Sequence, residues 1–257
     1  MKIGLIGKGA IAQHVSNAMQ ARDHLVHAVL VRPENISQDP NLFVGSVQDL
    51  TTEADLVIEC AGHQALAAYG PQVLAQGTDM ITVSVGGLAD QTVADTLESA
   101  ARDGRAKLHL ASGAIGALDC LGAAATGKLD QVTYIGRKPP LGWKGSRAED
   151  TLDLEALTGA EAHFIGTARQ ASLAYPKNAN VAAAVALAGM GFDETRVQLV
   201  ADPSITRNIH EIEAEGEFGQ FHFRISGNSL PDNPRSSALA AMSVVAKLEH
   251  LSEPIVF

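Results

Sequence analysis

The chain has 257 residues, 46% of them hydrophobic and 19% charged, enough apolar material for one large domain or two modest ones. A formal charge of −10 argues against nucleic acid or an anionic membrane as the main partner, yet leaves room for a small anionic ligand held by a few local cations. Cys60 and Cys120 lie far apart without metal-ligand spacing, which speaks against a disulfide framework or a structural metal.

Residues 1–6 read as a short apolar strand that runs into Gly7-Lys8-Gly9-Ala10-Ile11-Ala12. Ile11, Val15, Ala18 and Met19 follow at the three-and-four spacing of a buried helical face. In this strand–turn–helix setting Gly7 permits a tight turn and Gly9 lets the backbone approach a pyrophosphate. Ala12 takes the third small position of G-x-G-x-x-G/A. The pyrophosphate would meet the free N–H groups where the helix opens, at Ala10 and Ile11. Residues 27–32 read as the second strand, whose end faces the adenosine ribose in such a fold. There Arg32 favours the 2′-phosphate of NADP, while Glu34 keeps the 2′-hydroxyl of NAD open.

A buried strand is expected over residues 54–60, then a helix over 64–75 that stops at Gly77. Another strand over 80–85, a helix over 90–102 and a strand at 107–110 continue the alternation. The pattern predicts an α/β fold, a Rossmann-type doubly wound parallel sheet. Ligands of such sheets lie outside the carboxyl ends of the strands, so segments 59–63 (with Cys60 and Ala61), 84–87 and 112–116 should line the cofactor cleft. His63 is read there as a loop residue rather than a catalytic one.

After residue 112 the pattern changes. A helix is expected over 115–125, strands at 131–135, 196–200, 208–215 and 218–225, and an irregular loop over 138–143. Trp143 in that loop packs beneath it or stacks on a ligand. A small-residue helix is read over 178–188, with Asn178 or Asn180 as its cap, and a last helix over 236–250. The expected division is a dinucleotide domain, 1–112, completed by the C-terminal helix within 236–257, and a smaller α+β substrate and dimerisation domain, 113–235. No apolar run approaches the roughly 20 residues that span a bilayer. With a strand at its very start, the chain is expected to be cytoplasmic and to carry no leader.

Several segments together resemble one family. They are Gly7-Lys8-Gly9-Ala10-Ile11-Ala12, Glu59-Cys60-Ala61-Gly62-His63, Ser84-Val85-Gly86-Gly87-Leu88, Ser112-Gly113-Ala114-Ile115-Gly116-Ala117-Leu118-Asp119, Tyr175-Pro176-Lys177-Asn178-Ala179-Asn180-Val181, Ala201-Asp202-Pro203 with Asn208-Ile209-His210-Glu211-Ile212, and Asn233-Pro234-Arg235-Ser236-Ser237. Over nearly its full length the chain resembles the L-aspartate dehydrogenases, departing only in Ala12 for the usual third glycine. The resemblance implies a Rossmann domain joined to a smaller α+β domain, a homodimer, and oxidation of L-aspartate with NAD or NADP. It also implies that Ala114 and Asn180 contact the cofactor and that His210 is the active-site residue.

Read for its chemistry, such a reaction passes a hydride from Cα to the nicotinamide, while the protein orients Cα, moves a proton and stabilises charge. A histidine suits proton transfer near neutral pH. The two carboxylates of aspartate need cations: Arg235, expected at a helix start, can fork onto one, and Lys177 can take the other or assist proton transfer. The product imine is also a precursor for the pyridine ring of NAD, so a biosynthetic role is open. Two rival readings are a two-domain reductase of another C=N or C=O substrate and a non-catalytic NAD(P) sensor.

Overall fold

The computed structural model describes residues 1–176, 178–231 and 233–256, with the side chains of Pro234 and Arg235 outside the description. Two compact units emerge: Met1–Gly113 together with the stretch from Ala240 onward, and Ala114–Leu239.

The first unit comprises β1 (Lys2–Ile6), α1 (Ala10–Gln20), β2 (Leu25–Leu30), β3 (Phe43–Val44), α2 (Val47–Thr51), β4 (Leu56–Glu59), α3 (His63–Ala75), β5 (Met80–Thr82), α4 (Gln91–Gly104) and β6 (Leu108–Leu110). Its strands form one parallel sheet in the order β3-β2-β1-β4-β5-β6. Alternate residues along β1 and β4 enter two different cores, because side chains of a strand alternate between faces. Ile3, Leu5 and Ile58 pack with Val15 and Met19 of α1, whereas Ile6 and Val57 pack with Leu66 and Val73 of α3 and Leu97 of α4. Burial on both faces is why these strands read as continuous apolar runs.

The second unit holds α5 (Leu118–Ala124), β7 (Leu129–Lys138), β8 (Glu161–Thr167), α6 (Ala168–Ala174), α7 (Asn180–Ala188), β9 (Arg196–Ala201), β10 (Asn208–Gly216), β11 (Gly219–Gly227), β12 (Ser229–Leu230) and β13 (Asn233–Ser237). Its main sheet has the order β11-β10-β7-β9-β8 and is antiparallel except where β7 meets β9. The last helix, α8 (Ala238–Ser252), returns to the first unit, where Val244, Val245 and Leu248 join the core of β1 and α1. Ser243 Oγ there accepts from Gly113 N at 3.0 Å.

Of the expected boundaries that move, three have a visible cause. The strand expected to reach residue 85 ends at Thr82, whose hydroxyl donates to Glu59 and accepts from Ser84 N, turning the chain into a 3₁₀ segment at Val85–Ala89. The helix expected from 115 starts only at Leu118, after Ala117 adopts a left-handed φ of 59°. The final helix starts at Ala238 instead of 236, because Asn233–Ser237 pairs with Ser229–Leu230 first. Among the described residues no helix is long and apolar enough to cross a membrane, and no cluster of three or more His, Cys, Asp and Glu could hold a metal.

Candidate functional site

In the first unit the strand order reverses at β1, which pairs with β2 on one side and β4 on the other. Connections leaving β1 and β4 therefore diverge, and a crevice opens at their carboxyl ends. Gly7 leaves β1 with φ +96°, and a Cβ on it would sit 2.8 Å from Ala61 Cβ. Both the conformation and the approach require glycine there. Beside Gly9 no atom lies within 4 Å of where a Cβ would stand, so the backbone is open to a ligand. Gly9 also caps α1 without any side-chain bond, and the first amide to turn back is Gln13 N, to Gly9 O at 2.9 Å. The N–H groups of Ala10, Ile11 and Ala12 thus lack intrahelical acceptors, the arrangement that receives a phosphate.

Around this turn lies a cavity of about 530 Å³ lined by Gly7, Lys8, Gly9, Arg32, Asn35, Cys60, Ala61, Gln64 and Tyr69, among others. It gathers five of the expected cofactor contacts. Ala10 and Ile11 take part as the helix start and not as lining, and neither Glu34 nor His63 lines the cavity. Arg32 is exposed at its rim. Burial pushes the Cys60 thiol well above its ordinary pKa, so it is a neutral wall residue and not a nucleophile. An open glycine cradle, free helix-start amides and a cation at the end of β2 together fit a dinucleotide.

Glu59 was legible only as a strand tip. It is fully buried at the end of β4. One carboxylate oxygen accepts from Ala61 N at 2.6 Å and Gly62 N at 2.7 Å; the other accepts from Thr82 Oγ1 at 2.6 Å. A buried charge persists only when its lone pairs are met, and here they hold the turn into α3 and tie it to β5.

In the second unit the chemistry collects on one sheet face. Period-two alternation places Tyr134, Gly136 and Lys138 of β7 on the same side, and His210 of β10 sits opposite Gly136. His210 is 4% exposed, and its Nδ1 lies 2.7 Å from the Tyr134 hydroxyl. Gly136 makes that contact feasible, since a Cβ there would lie 2.6 Å from the Tyr134 hydroxyl oxygen. Burial, with the Lys138 charge added, holds His210 down to about 3. Burial alone lowers Lys138 to about 8. The Tyr134 phenol is pushed upward by burial and stays neutral. Its hydroxyl can donate to Nδ1 or accept from it, so either tautomer keeps Nδ1 partnered and leaves Nε2 for a ligand.

Lys138 donates to Asn178 Oδ1 at 2.6 Å and stands 4.9 Å from the centre of the Trp143 ring. Asn178 is therefore a lysine partner and not a helix cap. Asn180 is the first residue of α7 rather than its cap, a position held by Ala179 without a side-chain bond. Trp143 is fully buried, donates to Val200 O at 2.9 Å and packs edge-on against His163, which places it under the loop. Ala114, at the start of this unit, is buried. Lys177 lies outside the described residues. Arg235 sits in β13 and not at a helix start, and its side chain is likewise undescribed. Lys138 is not singled out by sequence because the adjoining Pro139-Pro140 marks a loop over 138–143, whereas it is the last residue of β7; the alternation Tyr134–Gly136–Lys138 is the available signal.

Comparison with known proteins agrees across both units. Residues 119–251 match the family described as aspartate dehydrogenase, C-terminal, and residues 7–111 match the homoserine dehydrogenase NAD-binding domain. An L-aspartate dehydrogenase of Ruegeria pomeroyi is 54% identical over 251 residues, which covers 96% of this chain and 91% of the relative. One of Cupriavidus taiwanensis is 44% identical, with 96% of each chain covered. The crystal structure of aspartate dehydrogenase from Thermotoga maritima matches with a TM-score of 0.80 at 27% identity, over 100% of this chain and 99% of that one. With an NAD(P)-type Rossmann domain followed by the matching C-terminal region, the chain belongs to the aspartate dehydrogenase family.

Proposed function

We propose that the protein catalyses the reversible NAD(P)-dependent oxidation of L-aspartate to iminoaspartate, which water converts to oxaloacetate and ammonia. The observation that carries this reading is the likeness to L-aspartate dehydrogenases along both units, including the segment that bears His210. Gly7, Gly9 and the helix start at Ala10 and Ile11 receive the pyrophosphate; Cys60 and Ala61 wall the cavity; Ala114 and Asn180 supply further cofactor contacts. Arg32 at the cavity rim favours a 2′-phosphate, so NADP is bound at least as well as NAD.

The nicotinamide, when bound, supplies the acceptor for the hydride from Cα. His210 stays neutral at physiological pH and acts through Nε2, taking a proton from the substrate amine while Nδ1 hands its proton's hydrogen bond to Tyr134. Buried Tyr134 keeps the ring oriented in either protonation state. A homodimer built through the second unit, a cytoplasmic location and supply of iminoaspartate for pyridine-ring synthesis complete the proposal. The free thiols of Cys60 and Cys120 and the net charge of −10 support a reducing compartment and small-molecule partners rather than nucleic acid or membrane.

The test is the absorbance of reduced nicotinamide on mixing the protein with NAD or NADP and L-aspartate, beside D-aspartate, L-glutamate and L-alanine. Reduction with L-aspartate alone is expected, lost in His210→Ala with cofactor binding retained. No reduction with either cofactor, and no reverse reaction from oxaloacetate and ammonia, overturns the reading.

A further inference from the structure

Lys138 is held but not neutralised. Its stem lies against Gly142, where a Cβ would stand 3.2 Å from Lys138 Cβ, and its ammonium meets the Trp143 face and one amide oxygen, that of Asn178. Among the described residues no carboxylate pairs with it. Glu211 of β10 and Asp202 just past β9 are engaged by Arg137, which alternation turns to the other face. The groups shown beside the ammonium are neutral: Trp143 and Asn178 in contact, with His210 of β10 and His163 of β8 within reach of its charge; Arg147 and Asp150, which line a cavity with Tyr175 and Asn178, are paired with each other. Its charge depresses both His210 and His163, a sign that it stands near both rings.

A half-buried cation with one amide partner and no counter-ion is an incomplete site. An ammonium has three donors, and the bond to Asn178 uses one. Two remain for an acceptor on the His210 side, and a carboxylate meets both needs, charge and hydrogen bonds.

We propose that Lys138 binds a carboxylate of the dicarboxylic substrate on the sheet face that carries His210, with Asn178 aiming the ammonium. The proposal rests on the aspartate reading above and assigns that substrate a cation which neither motif nor likeness supplied. It also links binding to chemistry. Burial is the larger cause of the low proton affinity of His210, and the substrate's negative charge offsets the smaller part that Lys138 adds, so the imidazole gains some basicity when a substrate is in place.

Calorimetric titration of the full chain, saturated with NADP, with succinate tests this, because succinate has the two carboxylates but no amine to oxidise. Wild type binds it, and Lys138→Met weakens binding by about 10- to 100-fold, the range for losing a hydrogen bond to a charged group. Lys138→Arg retains most of the affinity, and NADPH binding followed by fluorescence is the same in all three. In wild type, succinate affinity falls as pH rises through about 8, where Lys138 loses its proton. Unchanged succinate affinity in Lys138→Met, or no binding by wild type, overturns the proposal. Should Lys138→Met fail to fold, Lys138→Gln is titrated in its place, and unchanged succinate affinity there is equally fatal. A wild type that binds succinate through Lys138 yet never oxidises L-aspartate removes the dehydrogenase reading and leaves the carboxylate site standing.

Discussion

Replacing Glu59 by leucine separates two opposed effects of a buried carboxylate. Desolvation disfavours the charge, and apolar replacements of buried charges are often neutral or stabilising. Here, however, three donors converge on the group: Ala61 N, Gly62 N and Thr82 Oγ1, at 2.6, 2.7 and 2.6 Å. Leucine leaves all three without an acceptor. The Thr82 bond is buried and forfeits about 1.5–3 kcal/mol, as hydrogen bonds to charged groups do. The two amide bonds are only part-buried, so water recovers some of each, and about 1 kcal/mol apiece is lost. The total, about 3.5–5 kcal/mol, is a large share of the roughly 5–15 kcal/mol that stabilises a typical domain. Glu59→Gln keeps one oxygen for the two amides and costs about 1–2 kcal/mol. Urea unfolding of both variants, with NADPH affinity measured on the folded protein, reads the difference. At an m-value of about 3 kcal/mol per molar, the leucine midpoint falls by roughly 1.2–1.7 M. Affinity falls with it, since the same bonds hold the turn that carries Ala61, a wall residue of the cavity. A leucine variant within about 0.5 kcal/mol of wild type, with unchanged cofactor affinity, would refute the bracing role and show that desolvation dominates.

Two further outcomes follow from the electrostatics. Arg32→Ala raises the Michaelis constant for NADP by about 10- to 100-fold and leaves that for NAD nearly unchanged, since only the 2′-phosphate loses a charged partner; equal effects on the two cofactors would remove Arg32 from the ribose site. His210 and His163 are held by burial to about 3 and about 4, below the ordinary 6.5. The unfolded chain binds their protons as pH drops below about 6.5 and the folded chain does not. Their stabilising contribution is therefore intact above that pH and is lost progressively down to about 4 and about 3, by up to about 1.4 kcal/mol per unit for each ring. Urea midpoints that stay level from about pH 7 to about pH 5 would contradict the neutral, buried state of both histidines.

Much of the architecture was legible because its signals are local. Apolar runs mark strands buried on both faces, three-and-four spacing marks α1, and a left-handed Gly77 ends α3. Other pieces were silent, some for want of a local pattern and some because their partners are distant in sequence. Glu161–Thr167 has no clean alternation, and the seven-residue α6 is too short to show a helical period. The strand after Met80 was overextended because its terminator is Glu59, 23 residues away. Asn178 resembled a cap until Lys138, 40 residues earlier, claimed its oxygen.

From the sequence alone came the parallel sheet and the dinucleotide turn, because strand, turn and helix are written within a dozen neighbours, while His210 was singled out only through the resemblance of the whole chain to a family. Tertiary structure alone decided what His210 is chemically. Its partner Tyr134 lies 76 residues away, and the cation beside it ends a neighbouring strand. Proton affinity depends on burial and on charges brought near through space, and neither quantity is carried by spacing along the chain.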